Sequence, residues 1–286
     1  MRPARVDDFR LPELRFVPTG SLISHERHDS QRLGPLLEQL EERGVLQNPP
    51  IVTPLPPDGG HERYMVLDGA NRSTAVASAG YPHVVVQIVK YEEPWVTLGT
   101  WDHALSEAPI DHLTAACARL PGLQSGSAPI LHAQAQLARR EALAFVTTDD
   151  RGALVFRGGR NLEERNQLLN GIVDVYREGR RFYRMSTESF EVARERHSDV
   201  TALVVFPHFA PAEVLELANG GAKLPAGITR HLIRWRALRV NVPLARLADR
   251  DQSREAKNAW LDAWLKDRFH RRQVRFYEEP TVLFDE

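Results

Sequence analysis

Leu67-Asp68-Gly69-Ala70-Asn71-Arg72-Ser73-Thr74-Ala75 is the stretch on which the fold turns. It joins a short apolar run, Tyr64-Met65-Val66-Leu67, to a small-residue segment that ends at Gly80. The run has the length and polar borders of a buried strand, and the segment reads as a helix closed by glycine. A strand that ends in Asp-Gly and opens directly into a helix suits an anion. Gly69 lets the backbone turn and approach a ligand closely, and the first helical amides point outward with the positive end of the dipole. Arg72 adds a fork of donors matched to phosphate oxygens, and Ser73 and Thr74 add hydroxyls. Gly69, Ala70, Asn71, Arg72, Ser73 and Thr74 are therefore a candidate phosphate-binding set. The competing reading is an ordinary turn in which Asp68 caps the helix, and the two roles are compatible.

Outward from this stretch, residues 13–91 alternate between strands and helices. Leu14 to Val17 reads as a strand broken by Pro18-Thr19-Gly20. From about Asp29 to Arg43, Leu33, Leu36, Leu37 and Leu40 recur at helical spacing, with Gly34-Pro35 as an interruption and Gly44 as a left-handed close. Pro50 to Thr53 and Val84 to Val89 read as strands, so the order is strand, helix, strand, strand, helix, strand. Further on, residues 110–140 read as helical, interrupted by Pro121-Gly122 and a Ser/Gly loop. Ala142 to Val146 and Ala153 to Phe156 flank a glycine-containing turn and read as a hairpin. Asn161 to Tyr176 carries more apolar positions than one exposed helix needs. Thr201 to Phe206 is a strand, Ala212 to Asn219 a helix stopped by Gly220-Gly221. Asn258 to Arg271 is an amphipathic helix whose Trp260 and Trp264 read as core.

Bulk properties narrow the function. The formal charge of −1 offers no basic excess to displace counterions from nucleic acid, no helix-turn-helix is visible, and Arg180-Arg181 and Arg271-Arg272 read as solvated surface. The single cysteine, Cys117, rules out an internal disulfide or a cysteine-rich zinc site, and in its apolar setting it reads as a buried hydrophobe. His25 and His28, with Glu26 nearby, make a weak metal pattern, so no transition metal is expected. The chain lacks an 18-residue apolar run, and residues 1–8 lack the apolar core of a secretory signal. A cytoplasmic protein is expected; the oligomeric state is open.

The 67–75 stretch, preceded by a helix and two strands, resembles the signature box of the ParB/sulfiredoxin superfamily, and more narrowly the Asp-Gly-His-His-Arg-x-x-Ala box of the free L-serine kinases. Leu22-Ile23-Ser24-His25-Glu26 resembles that family's Leu-Ile-Pro-His-Glu. Thr100-Trp101-Asp102-His103 resembles its tryptophan segment, and Leu224 to Ile233 with Arg236 to Leu244 resembles its C-terminal Thr-Arg-His segment. The likeness is dense over about residues 15–103 and 224–247.

The resemblance implies a mixed α/β (α+β) protein. A ParB/sulfiredoxin-like nucleotide-binding domain would span 1–108, with an α+β domain at 109–286 packed against it and the active site in the cleft between. It implies a phosphotransferase that moves a phosphoryl group from ADP or ATP to the hydroxyl of free L-serine. Glu26 would be the general base and Asp68 a second catalytic group that can hold Mg²⁺; Trp101, Thr229, Arg230 and His231 would bind the substrate. Read without the resemblance, Glu26 is a glutamate near a helix N-terminus, Arg230 a surface arginine and Trp101 core. Two departures stand out: Ala70 and Asn71 replace both histidines of the family box, and Asn71 can donate a hydrogen bond but cannot titrate. Ser24 stands where proline is common. The alternatives are a non-catalytic ParB-like nucleotide-binding switch or DNA-associated regulator, and a kinase scaffold turned to another small hydroxylated substrate or to ligand sensing.

Overall fold

The computed structural model describes residues 11–27, 33–107, 110–149, 151–177 and 181–277. The 1–8 segment, His28, the helix start at Asp29 and Arg180 lie outside the described residues. The first helix runs Leu33–Arg43, through Gly34-Pro35, and Gly44 closes it at φ 63°.

Five strands form the first sheet, in the order Glu13–Pro18, His83–Ile88, Ile51–Asp58, His61–Asp68 and Leu22–Ser24. The sheet is mixed. Leu22–Ser24 runs parallel to His61–Asp68, and His83–Ile88 runs parallel to Ile51–Asp58. The other two pairings are antiparallel. Consecutive Val84, Val85 and Val86 are all fully buried, because this sheet is covered on both faces. The helix Arg254–His270 packs through Trp260, Leu261 and Trp264 against the cluster that holds Leu14 and Phe16. From that helix Asn258 bonds both the amide and the carbonyl of Phe16, which occupies the open side of an edge strand.

Six antiparallel strands form the second sheet, in the order Phe182–Met185, Asp102–Ser106, Val200–Val205, Ala144–Thr147, Gly152–Arg157 and Gln124–Pro129. The expected hairpin is its Ala144–Thr147 and Gly152–Arg157 pair. Leu169, Ile172, Val173 and Tyr176 of the helix Leu162–Arg177 are buried in a core that also holds Met65 and Leu67 of the first sheet. That shared core accounts for the helix's surplus of apolar residues. Cys117 lies in it too.

One sequence expectation needs correction. The helical reading of 110–140 contains a strand, Gln124–Pro129, between the helices Ile110–Cys117 and Ile130–Ala138. Its composition is polar and small because it is the sheet's edge, so it shows no apolar alternation. Strand pairing and packing run across residue 108 in both directions. Asp102–Ser106 is an interior strand of the second sheet, while Val240, Val242, Leu244, Leu247 and Leu261 pack on the first. The chain crosses between the layers more than once. No helix among the described residues is long and apolar enough to cross a membrane.

The crossing strand begins with Asp102, which is 5% exposed and accepts the Phe206 amide at 3.0 Å. Burial pushes its carboxyl up to about 8. The unfolded chain releases this proton near pH 4, so folding takes up a proton between about pH 4 and 8, and stability falls as pH rises across that interval. Asp102→Asn keeps the acceptor and cannot ionise. Urea unfolding at pH 5 and pH 8 is expected to show the variant gaining on the wild type at the higher pH, by on the order of 1–3 kcal/mol.

Candidate functional site

A cleft of about 1040 Å³ is lined by Asp68 to Arg72 with Arg236, by Trp101, Arg184 and residues of the 226–232 segment, and by Glu26. The first wall follows from local geometry. Gly69 adopts φ 88°, ψ 28° and is the N-cap of the helix Ala70–Ser78, with no side-chain cap. An added Cβ would meet Arg72 Nη2 at 2.9 Å and the Pro50 Cα at 3.1 Å, so both the conformation and the space require glycine. Asp68 does not cap this helix. Its Oδ2 pairs with Arg72 at 3.3 Å and with Arg236, while Arg72 Nη1 donates to the Asn48 carbonyl at 2.8 Å. The helix's first amides have no intrahelical acceptors and are the donors at this wall.

Ser73 and Thr74, expected at the phosphate site, direct their hydroxyls inward. Their hydroxyls donate back to the carbonyls of Gly69 and Ala70, at 3.1 and 2.9 Å, and neither residue lines the cleft. A hydroxyl one turn into a helix finds the i−4 carbonyl sooner than a ligand at the helix mouth. Gly69, Ala70, Asn71 and Arg72 remain at the wall.

Glu26 follows the strand Leu22–Ser24 and forms a parallel bridge with Leu224. The Leu224 amide donates to the His25 carbonyl at 2.8 Å, and the Arg27 amide to the Leu224 carbonyl at 2.9 Å. This pairing brings the 224–229 segment onto the glutamate. Glu26 Oε2 accepts the Gly227 amide at 2.8 Å; Oε1 accepts the Thr229 amide at 2.7 Å and the Thr229 hydroxyl at 2.5 Å. The side chain is 17% exposed, held at the cleft surface rather than sealed away. His25 supports the same group: its Nδ1 donates to the Val66 carbonyl at 2.6 Å, and Nε2 meets the Thr229 hydroxyl at 2.8 Å.

Thr229, expected to touch substrate, therefore spends its hydroxyl inside the protein. His231 lines the cleft, but its Nε2 contacts the Tyr91 hydroxyl at 2.9 Å and its ring stands edge-on to His25. Burial, then the charge of His25, lowers it to about 3 against a contact with the Leu67 carbonyl, so it is neutral at physiological pH. Arg230 projects into the cleft with its guanidinium stacked over the Trp101 ring, 4.5 Å from the centroid. Trp101 is thus a platform for an arginine, in register through its amide bond to the Ile228 carbonyl.

Four further residues shape the site: His25, Arg184, Gly227 and Arg236. His25 and Gly227 sit within or beside the segments that drew notice in the sequence, but their roles depend on pairing across about two hundred residues. Arg184 has no local signal at all. Among the described residues, no group of three or more His, Cys, Asp or Glu side chains can hold a metal ion.

Comparison with known proteins gives the arrangement its context. No family model matches the chain. It is 25% identical over 275 residues to the ATP-dependent L-serine kinase SbnI of Staphylococcus aureus, covering 96% of this chain and 97% of that protein. Over 90 residues it is 37% identical to an ATP-dependent L-serine kinase of Staphylothermus marinus, which is 32% of this chain and 34% of the relative. A solved free serine kinase with one glutamate replaced by glutamine, in complex with AMP, matches with a TM-score of 0.69 at 20% identity, covering 83% of this chain and 95% of that one. C-terminally truncated SbnI from Staphylococcus aureus matches with a TM-score of 0.68 at 24% identity, covering 90% and 97%. The chain is thus similar in sequence, along nearly all its length, to one ATP-dependent L-serine kinase, and it shares its fold with solved free serine kinases.

Proposed function

We propose that this protein transfers a phosphoryl group from a nucleotide, ATP or ADP, to the hydroxyl of free L-serine, with Glu26 as the general base. The observation that carries the reading is the Glu26 carboxylate, fixed by three donors from the 227–229 segment and lining the same cleft as the N-terminus of the helix Ala70–Ser78. The ATP-dependent L-serine kinases to which the chain is similar support the acceptor and favour ATP as donor.

Phosphoryl transfer asks a protein mainly for positioning and charge neutralisation. The terminal phosphates of the nucleotide lie against the amides after Gly69, where Asn71 donates without titrating. The serine hydroxyl sits at Glu26, and the amino-acid carboxylate meets the Arg230 fork on its tryptophan platform. As the serine Oγ–P bond forms and the bond from phosphorus to the leaving nucleotide oxygen breaks, the hydroxyl proton passes to Glu26. Oε2 carries one protein hydrogen bond where Oε1 carries two, so it is the oxygen we assign to the proton. Asp68 is the residue that would hold Mg²⁺, through Oδ1, because both arginine contacts fall on its Oδ2. When bound, Mg²⁺ would neutralise phosphate charge at this wall.

Phosphorus NMR of the protein with Mg²⁺, L-serine and either ATP or ADP is expected to show a serine-dependent phosphomonoester. Its absence with both donors would remove the reading. Glu26→Gln is expected to lower kcat by about a hundredfold or more; an unchanged kcat would remove Glu26 from the mechanism. Thr229→Val deletes the hydroxyl shared by Glu26 and His25 and keeps the amide. It is expected to cost about 1–3 kcal/mol of stability in urea unfolding and to lower kcat by about tenfold, less than loss of the carboxylate itself.

A further inference from the structure

Arg184 belongs to the strand Phe182–Met185, opposite His103 in register, so it reaches the cleft from the second sheet. Its guanidinium lies directly against Gly227. A Cβ on that glycine would come within 2.5 Å of Nε and Nη2, and Gly227 has φ +78°, a conformation that already favours glycine. The amide of the same glycine holds Glu26 Oε2. Arg184 therefore borders the base, on the side of the cleft that carries Trp101 and Arg230 rather than the helix mouth at Gly69.

The other arginines around the cleft divide by partner. Arg27 pairs with Asp174, and Arg72 and Arg236 both pair with Asp68. No carboxylate among the described residues pairs with Arg184 or Arg230, and Glu26, which lines the same cleft, is taken up by two amides and a hydroxyl. Two planar guanidinium forks thus stand uncompensated in one half of the cleft, which is the arrangement that selects a carboxylate.

We propose that Arg184 is a second contact for the carboxylate of the amino-acid acceptor, acting with Arg230, and so restricts the enzyme to acceptors bearing that anion beside the hydroxyl. This rests on the serine-kinase reading above. Arg184 is exposed, and its side chain makes no hydrogen bond or ion pair among the described residues, so its replacement is expected to leave the fold intact.

The test is steady-state kinetics of the wild type, Arg184→Ala and Arg184→Lys with L-serine and with L-serinamide, which keeps the hydroxyl and the amine and lacks the anion. Arg184→Ala is expected to raise KM for serine about tenfold or more and to leave serinamide unchanged. Arg184→Lys, which keeps the charge and loses the fork, is expected to fall between. If both variants change serine and serinamide equally, or change neither, the Arg184 assignment is overturned while the kinase reading stands. If the wild type shows no serine-dependent turnover with either donor, the kinase reading falls and this assignment falls with it.

Discussion

The clamp on Glu26 is the interaction on which the rest of the site depends. A lone glutamate after an edge strand has many rotamers, and holding one of them costs conformational entropy. Here the cost is met by two backbone amides and one hydroxyl that converge from a segment two hundred residues away. That segment is itself anchored at several points. The Asn166 and Asn170 amides grip the Lys223 carbonyl at 3.1 and 2.9 Å, Leu224 pairs with the backbone on either side of Glu26, and His103 Nε2 donates to the Gly227 carbonyl at 3.1 Å. Gly227, which holds the carboxylate through its amide, is thus also fixed through its carbonyl.

His103 shows how the core reaches the chemistry. It is fully buried, and burial lowers it to about 3, so the ring is neutral. A carbonyl can only accept, so Nε2 carries the hydrogen toward Gly227 and Nδ1 accepts from the Tyr176 hydroxyl at 2.7 Å. Tyr176 ends the long helix packed between the sheets. Packing of that helix, a buried tautomer and the alignment of Glu26 therefore form one continuous set of contacts.

Charge is sorted across the cleft by the same economy of partners. Asp68 draws Arg72 and Arg236 together and holds their guanidinium groups beside the helix that follows Gly69. Trp101 holds Arg230 by stacking, which restrains the group without neutralising it. A guanidinium held by an aromatic face keeps its donors for an anion; one held by a carboxylate has already used some of them.

The sequence by itself determined the elements whose causes are local. The strand, left-handed glycine and helix at 64–78, the hairpin at 144–157 and the amphipathic helix near the C-terminus all follow from periodicity and turn chemistry within a few residues. Motif likeness singled out Glu26, Asp68, Arg72, Trp101, Thr229 and Arg230 before any contact was known. Only the tertiary structure decided what each of them does. Ser73 and Thr74 carry suitable hydroxyls, yet the helix's own carbonyls claim them. Thr229 reads as a substrate ligand in the sequence, and its hydroxyl bonds Glu26 in the fold. Arg184 has no motif, and its place beside Gly227 follows from an antiparallel pairing with Asp102–Ser106, a strand on the far side of the expected domain boundary. Side-chain identity sets which bonds a residue can make, whereas the partner it meets is set by long-range strand pairing and core packing, and neither leaves a signal in the neighbouring sequence.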